Sequence, residues 1–211
     1  MKKVIVRSTD ESPRQAGDYY DGIKRYYDHN LEHTVVKIMT GDCYVTAEKR
    51  EMLVTILGSC ISVCARDPKV GVGGMNHILL PGLGSNSDNG KSTRYGAFAM
   101  EELLNNIYTN GGRKENLEVK IFGGGNVLES TTAEIGTKNI NFVKKFLSDE
   151  GIPIKSKHVG GDLPRRIHYF VDSGKVMMRI LKRRSDTELV TKDEVEYSRK
   201  LIVPERKVEL F

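Results

Sequence analysis

Between residues 33 and 60, β-branched and polar residues alternate around a Gly41-Asp42 turn. A period of two sends successive side chains to opposite faces of an extended chain, so this stretch predicts β-strands rather than a helix. Two further β runs follow, "ISVCARD" at 61–67 and "VGVGGMNHILL" at 70–80. The residues between them predict a turn, with Pro68 at its second position. The pattern thus indicates a sheet-rich chain from about Leu31 to Leu80.

Two amphipathic segments interrupt the strands. Apolar residues recur at helical spacing over 97–112 and 137–152, and both segments end at glycine. A Gly/Ser/Asn-rich stretch at 83–96 predicts a long loop of the kind that rims functional sites. Residues 117–125 and 153–181 predict further strands. The order strands, helix, strand, helix, strands indicates an α+β fold, with mixed or antiparallel β-sheets flanked by helices.

The patterning divides the chain into three parts: a polar N-terminal arm (1–35), one domain (36–181) and a charged C-terminal tail (182–211). No apolar run approaches the roughly 18 residues that a membrane span needs, so no direct membrane insertion is expected. The basic N-terminus lacks the apolar stretch of a secretory signal. We therefore expect a cytoplasmic protein.

Charge and cysteine content limit the classes of partner. The formal net charge is +5, which fits either an acidic partner or a solvated basic face. Basic residues are spread along the chain, with no aromatic-interleaved stripe or helix-turn-helix pattern, so the solvated face is favoured and nucleic acid is not expected. The three cysteines form no disulfide framework and no CxxC pattern, so no metal is expected.

The stretch "LGSCISVCARDPKVGVGGMNHILLP" (57–81) carries the candidate chemistry. If Asp67 faces Val70 across the turn, paired positions sum to 137, and Cys60 faces His77 on an adjacent antiparallel strand. Directly opposed residues project from one face, with Cβ atoms roughly 4.5–5.5 Å apart. Glycines at 71, 73 and 74 favour a bulge, and a one-residue slip would send the two side chains to opposite faces.

A thiol beside an imidazole is the arrangement of a cysteine hydrolase. The imidazole takes the thiol proton, stabilises the thiolate as an ion pair and later protonates a leaving amine. This pairing would lower the pKa of Cys60 and raise that of His77. Gly58 and Ser59 leave room for a substrate and favour a turn whose N–H groups bind an oxyanion. A buried apolar cysteine beside a structural core histidine is about as compatible with these residues.

The motifs "TILGSCISVCARDP" and "VGGMNHILLP" resemble those of the CheD family of chemoreceptor glutamine deamidases. Further stretches similar to the family are "RYG-FAME-L" (94–103), "KIFGGGNVL" (120–128), "IGTKN" (135–139) and "FLSDEGIPI" (146–154). The resemblance covers roughly residues 36–181. It implies a layered α+β sandwich similar to the cysteine deamidase domains of certain bacterial toxins.

The resemblance also implies the site. Cys60 would be the nucleophile, His77 the base and Thr55 the third residue. Beside these three, Gly58, Ser59 and Asn76 are the candidates for the oxyanion site or its lining. Cys43 receives no catalytic role, and no cofactor or metal is implied.

The implied reaction hydrolyses receptor glutamine side chains to glutamate through a cysteine thioester. The implied partners are the cytoplasmic helices of chemoreceptors and a chemotaxis phosphatase. Two alternatives remain open: a non-catalytic chemotaxis adaptor that binds receptors or the phosphatase through the same groove, and a transglutaminase or esterase with the same intermediate.

Overall fold

A computed structural model describes residues 19–20, 23–80, 89–127 and 133–202 of the chain. The strands are β1 (Tyr19–Tyr20), β2 (Ile23–Asp28), β3 (His33–Lys37), β4 (Cys43–Thr46), β5 (Glu51–Leu57), β6 (Ile61–Asp67), β7 (Val72–Asn76), β8 (Glu118–Gly123), β9 (Ile154–Val159), β10 (Arg165–Phe170) and β11 (Val176–Ile180). The helices are α1 (Asn89–Thr109), α2 (Ala133–Asp149) and α3 (Arg184–Ile202), and a short 3₁₀ turn covers Lys114–Asn116. No helix within these ranges is both long and apolar enough to span a bilayer.

The strands form two mixed sheets. One has the order β1-β2-β3-β5-β10-β11 and the other β4-β7-β6-β8-β9. Most neighbours are antiparallel, but β3 pairs with β5 and β8 with β9 in parallel. The predicted α+β class, with mixed sheets flanked by helices, is confirmed.

Alternation along the strands of the five-stranded sheet builds two separate cores. On β6, Ile61 and Val63 face a core shared with α1 and α2. Cys60, at the start of β6, and Cys64 instead face a core between the two sheets. Because each fully buried apolar side chain contributes about 1.5–3 kcal/mol, both faces of this sheet are fixed by burial. The layers are therefore helices, five-stranded sheet and six-stranded sheet.

The β6–β7 hairpin has a different register from the predicted one. Asp67 pairs with Val72 and Cys64 with Met75, so paired positions sum to 139 rather than 137. The turn is two residues longer because Gly71 adopts φ +75° and donates its N–H to the Asp67 carbonyl at 3.0 Å. In this register Cys60 and His77 are diagonal neighbours rather than directly opposed. A two-residue shift keeps every side chain on its predicted face.

The segment predicted as a polar N-terminal arm contributes strands to the six-stranded sheet. β2 and β3 both lie before residue 38, and β2 pairs with β3. Arg25 of β2 is buried, where it forms an ion pair with Glu51 and donates a hydrogen bond to the Tyr44 hydroxyl at 2.9 Å. A charge-rich strand can thus be internal, because its cation has a buried carboxylate partner.

Two other segments also differ from the sequence prediction. Residues 182–211 were predicted to be a tail, but α3 occupies most of that segment. Helix α1 begins at Asn89, inside the predicted 83–96 loop, whereas residues 83–88 lie outside the described ranges. The division of the chain at residues 35 and 181 stays a prediction.

Candidate active site

In the turn between β5 and β6, residues 58–60, all three carbonyl groups accept hydrogen bonds from other parts of the chain. Gly125 N–H donates to the Gly58 carbonyl at 2.7 Å, and Gly124 N–H donates to the Cys60 carbonyl at 2.6 Å. The buried Asn139 amide donates to the Ser59 carbonyl at 2.8 Å. Because the C=O and N–H of one peptide point in opposite directions, the contacts to the Gly58 and Ser59 carbonyls fix where the N–H groups of Ser59 and Cys60 point.

The N–H groups of residues 58–60 converge on the carboxylate of Glu194, from α3. Oε1 accepts from Gly58 N–H and Cys60 N–H, both at 3.1 Å. Oε2 accepts from Ser59 N–H at 3.2 Å and from the Ser59 hydroxyl at 2.6 Å. Successive N–H groups that face one point form an anion-binding concavity. The turn is therefore a preformed site for a planar carboxyl or carboxamide group.

Cys60 lies at the edge of this concavity and is fully buried. Burial raises the pKa of its thiol well above the usual value, and the negative charge and hydrogen bond of Glu194 raise it further. The Thr40 hydroxyl also hydrogen-bonds to the sulfur, which acts in the opposite direction. In this arrangement Cys60 is a neutral thiol.

His77 has a hydroxyl group beside each ring nitrogen. Thr55 Oγ1 lies 2.8 Å from Nδ1 and donates its own hydrogen to the Ile38 carbonyl at 2.7 Å. A hydroxyl has one hydrogen and a carbonyl only accepts, so the Nδ1–H group of His77 must donate to Thr55. The neutral ring then carries its lone pair on Nε2, which lies 3.3 Å from Thr40 Oγ1. This tautomer is assigned from the hydrogen-bond network.

The Thr40 hydroxyl connects the two candidate catalytic groups. It contacts both the Cys60 sulfur and His77 Nε2, and its single hydrogen can be directed to only one of them at a time. Burial lowers the pKa of His77, against the opposing influence of the negative charges of Glu194 and Asp42. The expectation of a thiolate–imidazolium pair is therefore wrong for this state. The pKa of Cys60 is raised rather than lowered, and that of His77 is lowered rather than raised, so both groups are neutral.

The "FGGGN" loop packs directly against the turn at residues 58–60. Gly123 has φ +114°, and a Cβ there would overlap the Cys60 carbonyl. The loop is braced in turn by residues 158–163, because Gly160 N–H donates to the Gly123 carbonyl at 2.9 Å. Buried Arg165 donates to the His158 carbonyl at 2.8 Å and to that of Gly160. Arg165 thus stabilises the segment that contacts the "FGGGN" loop, and through that loop the turn at residues 58–60.

The structure brings together five of the six residues predicted for the site: Cys60, His77, Thr55, Gly58 and Ser59. Asn76 is not among them. Its side chain accepts from Val63 N–H at 3.0 Å and donates to the Ala99 carbonyl at 3.0 Å, which ties β7 to α1. The alternation that points His77 between the sheets points Asn76 to the helix layer.

Sequence reasoning missed three residues that contact the site. Thr40 precedes the Gly41-Asp42 turn, and Asn139 lies in the "IGTKN" stretch that was noted only as a family resemblance. Glu194 lies in the predicted tail, 134 residues beyond Cys60. No local spacing signals a contact over that separation.

The family model and the sequence relatives agree on one family. The CheD family model, described as "CheD chemotactic sensory transduction", matches residues 79–180. A relative from Rhodopseudomonas palustris (strain BisA53) is 46% identical over 205 residues, covering 96% of this chain and 95% of the relative. One from Saccharophagus degradans is 41% identical and covers 92% of each chain. One from Hahella chejuensis is 42% identical and covers 83% of this chain and 84% of its own.

All three relatives are named "Probable chemoreceptor glutamine deamidase CheD". Among solved structures, the hypothetical protein YfiH of Bacillus licheniformis overlaps with a TM-score of 0.36 and 15% identity. That overlap covers 57% of this chain and 50% of the other.

Proposed function

The chain belongs to the CheD family, and we propose that it hydrolyses glutamine side chains of chemoreceptors to glutamate, with Cys60 as the nucleophile. The names of its relatives supply the substrate class. The single observation that carries the chemistry is the convergence of three backbone N–H groups on a carboxylate that is hydrogen-bonded to the Cys60 thiol. A carboxamide has the same planar shape and fits the same concavity.

The first half of the reaction forms a thioester. The substrate carboxamide takes the place of the Glu194 carboxylate, with its oxygen between the N–H groups of Gly58 and Cys60. The thiol proton passes through the Thr40 hydroxyl to His77 Nε2, while the sulfur forms a bond to the amide carbon. Negative charge develops on the oxygen, where the two fixed N–H groups stabilise it. The imidazolium then protonates the nitrogen, and the carbon–nitrogen bond breaks to release ammonia.

The second half restores the enzyme. His77 Nε2, neutral again, removes a proton from a water molecule as its oxygen attacks the thioester carbon. The carbon–sulfur bond breaks, and the sulfur regains its proton from the imidazolium. The product is glutamate. Thr55 holds the ring in one tautomer throughout, since its hydroxyl accepts from Nδ1–H.

The proposed reaction changes the charge of the substrate helix. Each event replaces a neutral amide by a carboxylate, which alters helix–helix electrostatics and so tunes chemotactic adaptation. The formal net charge of +5 favours an acidic receptor surface. We propose a cytoplasmic location, where receptor signalling helices are accessible, and a chemotaxis phosphatase as a further partner.

Intact-mass measurement of a receptor cytoplasmic fragment tests the proposal. Wild-type protein should raise the fragment mass by the exchange of an amide NH₂ for OH and release ammonia without any added amine. Cys60→Ala should abolish both signals while circular dichroism shows a folded protein, and Cys64→Ala is the matched control that retains activity. Full activity of Cys60→Ala would refute the nucleophile. Binding without any mass change would instead support an adaptor.

A further inference from the structure

We propose that α3 is an intramolecular product analogue that covers the site, and that its docking surface binds the receptor helix in the same way. The proposal rests on the proposed function for the identity of the substrate. It assigns α3 as a competitor of the substrate, with Glu194 in the position of a product glutamate. The substrate is accordingly a glutamine presented from an α-helix rather than from an extended peptide.

One face of α3 makes the contacts. Val190, Glu194 and Tyr197 have the spacing i, i+4 and i+7, which aligns them along one side of a helix. Val190 and Glu194 are buried, and Tyr197 packs against the core between the two sheets. The Tyr197 hydroxyl also contacts the Tyr95 hydroxyl of α1. The helix thus docks through a continuous stripe rather than through one side chain.

Two glycines on the receiving surface permit this close approach. A Cβ at Gly58 would lie 2.8 Å from Glu194 Oε1 and 2.9 Å from Val190 Cγ1. A Cβ at Gly41 would overlap the Tyr197 ring. Gly41 also has φ +84°, so a glycine suits this position for its backbone as well. The lack of side chains at Gly41 and Gly58 therefore leaves the space that α3 occupies.

The Glu194 carboxylate has the chemistry of the proposed product. It receives four hydrogen bonds from residues 58–60, three from backbone N–H groups and one from the Ser59 hydroxyl. The carboxylate fills the oxyanion position. It also accepts the hydrogen bond of the Cys60 thiol, whose hydrogen would otherwise be directed toward Thr40 and His77. Its negative charge also raises the pKa of Cys60. The docked helix therefore both blocks the substrate position and suppresses the nucleophile.

Removal of the carboxylate tests the competition. We expect Glu194→Ala to raise kcat/KM for a receptor fragment about tenfold. This is the factor for a wild-type helix that leaves the site open about a tenth of the time. Alkylation of Cys60 by iodoacetamide at pH 7 should rise by a similar factor, because both the cover and the added charge are lost. Glu196→Gln, on the exposed side of α3, is the matched control and should behave as wild type.

Cys43 and Cys64 serve as internal controls in the alkylation experiment. Both are buried, and Glu194 is not among the groups that shift their pKa values, so their alkylation should not change. Rates for Glu194→Ala within twofold of wild type in both assays would overturn the proposal. An equal rise at all three cysteines would also overturn it, since that result indicates general loosening of the fold.

Replacement of Glu194 by glutamine converts the proposed product analogue into a substrate and tests how α3 docks at the site. In Glu194→Gln the amide oxygen can take the Oε1 position. The NH₂ group then takes the Oε2 position, where it loses the hydrogen bond from Ser59 N–H but can donate to the Ser59 hydroxyl. We expect the enzyme to hydrolyse this introduced amide in cis, at a first-order rate independent of protein concentration. Peptide mass spectrometry should find glutamate at position 194 in Glu194→Gln, but an intact amide in Cys60→Ala/Glu194→Gln. The amide of Glu196→Gln should persist.

The outcomes separate this proposal from the proposed function. If wild type deamidates the receptor fragment while the introduced amide stays intact, the assignment of α3 is overturned and the function stands. If the introduced amide is hydrolysed but no receptor fragment is, α3 is confirmed as a substrate analogue and the receptor assignment fails. If neither amide is hydrolysed, the function fails, and the alkylation rates of Glu194→Ala alone decide whether α3 covers the thiol.

Discussion

At the scale of single residues, the proposed mechanism depends on the Thr40 hydroxyl to pass the Cys60 proton to the base. The hydroxyl contacts the sulfur and His77 Nε2, and it can accept one hydrogen bond while it donates another. His77 is oriented from its other side by Thr55, whose hydrogen is committed to the Ile38 carbonyl. In the proposed mechanism, four side chains and one carbonyl form a directional proton path once the thiol hydrogen is directed to Thr40 instead of Glu194.

Substitution of Thr40 tests this path. Thr40→Val keeps the shape but removes the hydroxyl, and we expect kcat for ammonia release to fall about 100-fold, the lower end of the general acid–base contribution. Thr40→Ser should retain most of the activity because it keeps the hydroxyl. Steady-state kinetics on a receptor fragment measure both. Equal activity of the valine and serine variants would show that the proton takes another route.

Asn139 acts on the oxyanion site through the backbone. Its amide holds the Ser59 carbonyl and thereby aligns the Cys60 N–H of the same peptide. We expect Asn139→Ala to lower kcat about 100-fold, comparable to loss of one oxyanion donor, with little change in KM. A variant whose KM rises while kcat is retained would indicate a role in substrate binding instead.

At the scale of elements, the β6–β7 hairpin shows what the sequence could and could not predict. Apolar alternation identified both strands and the faces on which Cys60 and His77 lie, because burial fixes the face of a strand. The exact register depended on Gly71, whose left-handed conformation lengthens the turn by two residues. Burial alone could not have distinguished registers that differ by two.

Long-range contacts account for the other differences between the predicted and the observed structure. Arg25 and Glu194 are charged residues in polar segments, so their patterns predicted an exposed arm and tail. Each is buried because a distant partner satisfies it, Glu51 for Arg25 and the turn at 58–60 for Glu194. The family resemblance, which rests on motifs in the interior of the chain, is confirmed, yet it did not include either contact.

Asp67 anchors the end of the β6–β7 hairpin. Its buried carboxylate accepts from Lys69 N–H at 2.8 Å, Arg113 N–H at 2.9 Å and the Asn116 amide at 3.1 Å. Burial alone would raise the pKa of Asp67, but these hydrogen bonds lower it more. We expect Asp67→Asn to reduce the free energy of unfolding by about 2 kcal/mol at pH 7, because it weakens charge-assisted hydrogen bonds.

The pH dependence of this loss has a defined sign. A lowered folded-state pKa means that the carboxylate's contribution is fully present above the unfolded value of about 3.9 and is lost as the pH falls through the folded value. The difference in unfolding free energy between wild type and Asp67→Asn should therefore shrink below about pH 5. Urea titrations at several pH values measure it. A difference that stays constant down to pH 2 would exclude the ionised carboxylate as its cause.

At the scale of the whole molecule, the two sheets and α3 enclose the site from opposite directions. The sheets pack face to face and bury His77 between them, whereas α3 closes the open side with Glu194. The enclosure buries Cys60 and His77, the two proposed catalytic groups, and burial favours the neutral form of each. A neutral pair is the correct starting state for a mechanism in which the thiol proton moves only during attack.

This enclosure predicts the pH profile of the enzyme. His77 must be neutral to accept the proton, and burial lowers its pKa from about 6.5, against the opposing charges of Glu194, Asp42 and Asp193. Activity is thus present above the folded pKa of His77 and is lost as the pH falls through it. We expect the acidic midpoint of kcat/KM to lie below 6.5. Because the pKa of Cys60 is raised, we expect no alkaline decline near 8.5, the ordinary value for a thiol.

Glu194→Ala provides the matched comparison for this profile. Loss of the carboxylate removes the largest charge that raises the pKa of His77, which moves the acidic midpoint down, whereas release of α3 reduces the burial of the ring and moves the midpoint up. The same loss lowers the pKa of Cys60, so the pH at which iodoacetamide alkylation is half-maximal should fall. Ammonia-release rates and alkylation rates measured from pH 5 to pH 10 measure both shifts. An acidic midpoint above 7 in wild type would contradict a neutral His77 enclosed by the sheets and α3.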